Sequence, residues 1–209
     1  MYEERVQYAL DNFIAENYFL DMDSEYHLKE EKDSGKSDLL VRINNENLCI
    51  HDFDNKKKCN FLKEGPSAKK TGTQKSVDHM IFEKKPTGWI LHMVEMKKGV
   101  GYRTWENIKL KMRTSYLTAC AIGQFLGIEF QDVLTYTTYE EDRFERLTET
   151  ANPKVFVPKL GEPATDLKKE EWDKNQICMT IGEKITFPHQ GIKMIMNQET
   201  STLEGSIEL

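Results

Sequence analysis

Asp78, Glu95 and Lys97 are the residues of this 209-residue chain whose types and spacing could do chemistry. They fall in two short β-prone segments, 76–83 (SVDHMIFE) and 89–97 (WILHMVEMK), joined by Lys84-Lys85-Pro86-Thr87-Gly88. Pro and Gly suit a tight turn, so the two segments are expected to form a hairpin. Pairing that is symmetric about Pro86 and Thr87 sets Asp78 opposite Glu95, with Cβ atoms roughly 4.5–5.5 Å apart. Like charges facing each other destabilise a sheet unless something cationic lies between them. Lys97 follows Glu95 by two residues, so strand alternation projects it from the same face. Two acids and a lysine converging at one strand end make a candidate site for charge-stabilising chemistry.

Glu-x-Lys recurs at Glu30 and at Glu83, in a polar stretch and at the hairpin turn, where exposed charges are ordinary. Glu95-Met96-Lys97 differs because it ends an apolar run interrupted only by His92. Ile90, His92, Val94 and Met96 would face one way, and Leu91, Met93, Glu95 and Lys97 the other. Both faces begin apolar, which places the strand in the interior of a covered sheet. The alternative reading of the three residues is a buried ion-pair cluster, which is a poor stabiliser compared with packed apolar groups.

The elements that must position this site follow from periodicity. Residues 2–20 set Val6, Leu10, Phe13, Ile14 and Tyr18 at helical spacing. Residues 21–38 are polar and read as a loop. The runs 39–43 and 47–53 flank Asn44-Asn45 and are expected to pair as a first hairpin. Residues 54–75, rich in Lys, Gly and Ser, read as a connection. After Gly99-Val100-Gly101, residues 102–127 form the longest predicted helix. Trp105, Ile108, Met112, Tyr116, Ala119 and Phe125-Leu126 recur on its one side, with Gly127 as C-cap. Strands are expected over 132–139, 154–158, 177–180, 184–187 and 192–196, with a loop or helix around 164–176. Residues 197–209 are expected to fray. The pattern predicts one α/β (α+β) domain with a central mixed sheet flanked by helices, a core over about 1–140 and an extension over 141–209.

Composition narrows the function classes. The chain carries 31% charged and 38% hydrophobic residues, enough for a core, and no run has the length of a membrane span. Its N-terminus is acidic and amphipathic, unlike a secretory leader. Cys49, Cys59, Cys120 and Cys178 form no paired motif and read as reduced thiols of a cytoplasmic protein. The net charge of −6 conceals an asymmetry: residues 56–113 carry 15 Lys and Arg against 5 Asp and Glu, between two acidic flanks. A basic middle around the candidate site is the distribution a polyanion-binding face leaves in a sequence, although a solvated lysine loop leaves the same trace. Gly99-Val100-Gly101 completes no phosphate-loop pattern.

With Val77-Asp78 on one strand, Glu95-Met96-Lys97 on the next and a helix from Tyr102, the chain resembles the PD-(D/E)XK nucleases of restriction-endonuclease-like fold. The resemblance covers about residues 1–140, with Val77 where the family motif has Pro. It implies an αβββαβ core and a divalent-metal-dependent nuclease acting on DNA, with RNA as an alternative substrate. Asp78, Glu95 and the Met96 carbonyl would hold Mg²⁺ or Mn²⁺, hard ions that prefer oxygen donors. Lys97 would orient or deprotonate the attacking water. Family members often add an acid from the first helix, for which Glu16 is the candidate, with Glu4 and Asp11 behind it. Lys98, Arg103, Lys109, Lys111 and Arg113 would grip phosphates, helped by the lysines of 56–75; the bland alternative pairs Lys109 and Arg113 with Glu106 and other helix acids. Many such nucleases are dimers, and a homodimer fits this picture; a membrane partner does not. Three rivals remain: the same fold kept as a non-catalytic module binding nucleic acid or protein, a cap-snatching-type RNA endonuclease using His27 or His51, and an acidic mimic of DNA.

Overall fold

A computed structural model describes residues 3–15, 18–32, 35–55, 75–144 and 167–209. Its architecture is mixed α/β, with helices packed against a mixed sheet. Helix α1 (Glu4–Asn12) opens the chain, followed by strands β1 (Glu25–Lys32), β2 (Gly35–Arg42) and β3 (Asn47–Ile50). The site hairpin is β4 (His79–Lys85) and β5 (Gly88–Glu95). A short β6 (Gly99–Val100) leads into the long α2 (Tyr102–Leu126), then β7 (Phe130–Tyr139) and β8 (Glu141–Asp142). The described remainder holds α3 (Leu167–Asp173), β9 (Gln176–Ile181), β10 (Glu183–Lys193), β11 (Ile195–Asn197) and β12 (Thr202–Glu208).

Six strands form the main sheet in the order β3-β4-β5-β7-β10-β9. The β3–β4–β5 meander is antiparallel, while β5, β7 and β10 run parallel. β5 and β7 are parallel because α2 carries the chain back across the sheet, the crossover that parallel neighbours require. Gly127, at φ +75°, closes α2 in the left-handed conformation that a residue with a Cβ adopts only at a cost. The face beneath α1 and α2 buries Phe82, Leu91, Met93, Trp105, Ile108 and Met112 in one apolar core. The opposite face buries Ile81, Val94, Met96 and Tyr136 against a second sheet, ordered β1-β2-β12-β11. β5 is therefore covered on both sides, which explains why its residues read as a nearly continuous apolar run.

The β4–β5 register follows the expected symmetry, with His79 facing Val94 and Lys85 facing Gly88. Three sequence expectations are corrected. Residues 21–38 are not a loop: β1 and β2 pair with each other from Glu25↔Arg42 to Lys32↔Gly35. Alternation is present there, with Tyr26 and Leu28 buried and their neighbours exposed, but the many charges of the outer face conceal it. The segment 39–43 does not pair with 47–53, because β2 and β3 belong to different sheets. Residues 197–209 do not fray as a flexible tail: β12 lies between β2 and β11 and runs parallel to β2. Two expected helical patterns also shift. α1 stops at Asn12, whose side-chain amide donates to the Tyr8 carbonyl, and Phe125 of α2 points outward at 67% exposure. The expected 154–158 strand, Cys59 and the lysines of 56–74 lie outside the described residues. No described helix is long and apolar enough to cross a membrane.

Candidate active site

The end of the β4–β5 hairpin away from its turn gathers the charged groups. Asp78 immediately precedes β4, and its backbone is held from two sides. The Phe53 N–H donates to the Asp78 carbonyl at 2.7 Å, and the preceding Val77 N–H donates to Ser115 Oγ of α2 at 2.8 Å. The Asp78 carboxylate accepts the Met96 N–H through Oδ2 at 2.7 Å, which ties it to the residue after β5. Glu95 ends β5 and is wholly buried. Lys97 follows, its N–H donating to Thr138 Oγ1 of β7 at 3.1 Å. The backbone thus converges Asp78, Glu95 and Lys97 on one mouth.

Their side chains meet there. Lys97 Nζ lies 2.5 Å from Glu95 Oε1 and 3.9 Å from Asp78 Oδ2, and it donates to the Met96 carbonyl at 2.6 Å. A fourth group, Lys111 of α2, stands 3.3 Å from Asp78 Oδ1 and 2.7 Å and 3.0 Å from the two Glu95 oxygens. Glu95 Oε1 is close to both ammonium groups but has no aligned hydrogen bond, and neither does Oγ1 of Thr137, the buried β7 neighbour of Glu95 in register. Burial first, and then the Asp78 charge, push the Glu95 carboxyl up to about 6 despite both lysines. Burial alone would lower the Lys111 ammonium, but the two carboxylates more than offset it, so its pKa rises. Two carboxylates and two ammonium groups leave the cluster near neutrality, as a buried ionic group must be.

Among the described residues no three His, Cys, Asp or Glu side chains gather as a metal-binding group. The oxygens that do gather are two carboxylates and the Met96 carbonyl, hard donors that fit Mg²⁺ or Mn²⁺. The partly satisfied Glu95 Oε1 fits a cation ligand as well. Accepting such an ion requires the ammonium groups to yield ground. Glu16 lies outside the described residues. Glu4 and Asp11 are exposed on α1, which sits at the far end of the fold: Glu3 pairs with Lys84 beside the hairpin turn, and Arg5 packs at Gly127. Some 16 residues of helix, about 24 Å, separate Gly127 from Lys111, so these two acids do not reach the mouth.

The expected phosphate-gripping residues divide. Lys111 is drawn into the carboxylates instead of facing outward. Lys109 pairs with Glu171 of α3 at 2.7 Å, and the same carboxylate accepts the Trp105 indole N–H at 2.9 Å, so Lys109 completes an internal network. Glu106, a partner in the alternative reading of Lys109, pairs with Lys168 at 2.5 Å. Lys98 lies 3.7 Å from Glu140, Arg113 donates to the Thr180 carbonyl at 3.4 Å, and Arg103 is exposed. The Lys111 position was legible in principle. It is one turn from Ile108 and Ser115 on either side, and so flanks the buried stripe of α2.

The histidines stand elsewhere. His27 pairs with Asp38 in the second sheet, and His51 with Asp52 beside the Asp78 backbone. His79 accepts the Asp52 N–H, and burial lowers it to about 4. His92 bridges Glu83 and the Tyr136 hydroxyl on the opposite face of the sheet. No family model, curated protein or solved structure matches this chain.

Proposed function

We propose that the chain is a divalent-metal-dependent nuclease of PD-(D/E)XK type that hydrolyses phosphodiester bonds, in DNA or alternatively RNA. The observation that carries this reading is the convergence of Asp78, Glu95, the Met96 carbonyl and Lys97 at one strand end. A divalent ion held by those oxygens would neutralise charge on the scissile phosphate and polarise it for attack. Lys97, which donates to the Met96 carbonyl and pairs with Glu95, would orient or deprotonate the attacking water. Asp78 keeps the geometry through its bond to the Met96 N–H. Ser115, by holding Val77, fixes the strand that presents Asp78. Arg103, exposed in the first turn of α2, and Lys98, which follows Lys97 in the chain, would supply positive charge for flanking phosphates, a contact that positions a strand without reading its sequence.

A non-catalytic binding module of the same fold is the second reading, favoured by the two lysines that already neutralise the acids. The cap-snatching-type alternative is weaker, since His27 and His51 are each turned to a local aspartate. Incubation with single- and double-stranded DNA and RNA, in Mg²⁺, Mn²⁺ or EDTA, tests the proposal. Cleavage should require the metal and vanish in Lys97→Ala with the fold retained. Cleavage that persists in EDTA, or undiminished in that variant, removes the assignment.

A further inference from the structure

Lys111 stands where a cation shared by Asp78 and Glu95 belongs. Its Nζ is within 3.3 Å of Asp78 and within 3.0 Å of both Glu95 oxygens, and these carboxylates are its only described partners. Lys97 differs, because it is also anchored by the Met96 carbonyl at 2.6 Å. A divalent ion drawn to the same oxygens competes with both ammonium groups, and Lys111 has the weaker hold once the carboxylate charge is taken up. Its side chain also has a way out. It retains 14% exposure and hangs on a flexible four-carbon stem at the flank of α2, whereas Glu95 is fully buried and cannot move toward solvent.

We propose that Lys111 is the built-in counter-ion of the metal-free site, competing with the divalent ion for Asp78 and Glu95 and leaving them when metal binds. This rests on the reading of the carboxylate pair as a metal centre. Together with Lys97, Lys111 offsets the repulsion between Asp78 and Glu95 where they meet in a covered sheet. It also sets the affinity of the site, since each metal-binding event must first release an ion pair. The released ammonium then adds positive charge to the mouth into which an anionic strand would enter.

Titration with Mn²⁺, with free ion followed by electron paramagnetic resonance, tests this without any substrate. Lys111→Gln removes the competitor, and the affinity for Mn²⁺ should tighten on the order of tenfold or more, as loss of a unit charge at contact distance implies. Lys111→Arg keeps the charge and grips carboxylates bidentately, so it should bind Mn²⁺ more weakly than the unaltered protein. Thermal unfolding of the same proteins should show Mn²⁺ raising Tm more in Lys111→Gln than in the unaltered chain. Equal or weaker Mn²⁺ binding by Lys111→Gln, with binding abolished by Asp78→Asn, overturns the counter-ion and leaves the metal centre standing. No Mn²⁺ binding by any of these proteins overturns the metal centre itself. If Lys111→Gln does not fold, Lys111→Arg decides, and equal or tighter binding by that variant refutes the competition.

Discussion

Replacing Glu95 with Gln should make the metal-free protein more stable at neutral pH. Glu95 is wholly buried beside Asp78, and its carboxyl is raised from 4.5 to about 6. A raised carboxyl binds its proton more tightly in the folded than in the unfolded chain. The charged form therefore weighs against folding at pH 7, and stability falls as pH rises through the window from about 4.5 to about 6. The rise from 4.5 to about 6 corresponds to about 2 kcal/mol. Gln resembles the protonated acid, so it removes that cost above pH 6 and changes little below pH 4.5. For a chain of this size the gain is roughly 4–8 °C in Tm. Urea unfolding of both proteins at pH 4 and pH 8, in EDTA, measures it. The difference in unfolding free energy between the two should shift by about 2 kcal/mol in favour of Gln between those conditions. A Gln variant whose stability relative to the unaltered protein is lower at pH 8 than at pH 4 would show that Lys97 and Lys111 outweigh the burial of the carboxylate, and the reasoning would fail. The gain in stability should accompany loss of metal binding, the trade expected where a site holds unfavourable charge for use.

The remaining predictions concern the surrounding network. Glu83 is buried, which alone would raise it, but hydrogen bonds from His92, Lys85 and Asn45 hold it at about 2. It therefore contributes about 3 kcal/mol above pH 4.5 that is lost as pH falls toward 2, and Glu83→Gln should flatten the acid limb of a stability–pH curve. An unchanged acid limb would remove Glu83 as its source. Lys97→Ala should lower metal-dependent cleavage by at least about 100-fold in a single-turnover assay while circular dichroism stays the same. Ser115→Ala orphans the buried Val77 N–H and should cost about 1–3 kcal/mol in urea unfolding; a smaller loss would mean that the strand is held elsewhere. Lys109→Ala should cost stability, on the order of 1–3 kcal/mol, by leaving Glu171 with the Trp105 indole as its one partner among the described residues, and should leave the salt dependence of DNA binding unchanged. A reduced salt slope would instead return Lys109 to the phosphate-gripping group.

Much of the site was legible because its parts are local. The Pro86–Thr87 turn and period-two alternation suffice to set Asp78 beside Glu95 and Lys97, since hairpin register depends on the turn alone. Gly127 marks the end of α2 for a backbone reason that composition reveals, its left-handed φ. What escaped depends on distant pairing. β1 is rich in charges because one face is solvated, and β12 is a strand only because β2 and β11 flank it. Nothing in the order of β2 and β3 says that they belong to different sheets. The sequence groups Lys111 with the phosphate-gripping residues, because helical spacing gives its direction relative to Ile108 and Ser115 but not which strand end lies opposite. The pairing of Lys109 with Glu171 escapes for the same reason, as that partner is 62 residues away in the chain.

The most direct test of the whole account is the anomalous diffraction of crystals soaked in Mn²⁺. The account predicts a peak bounded by Asp78, Glu95 and the Met96 carbonyl, with the Lys111 ammonium displaced toward solvent and Lys97 still beside Glu95. A site without a peak, with Lys111 remaining between the carboxylates at saturating Mn²⁺, would contradict it.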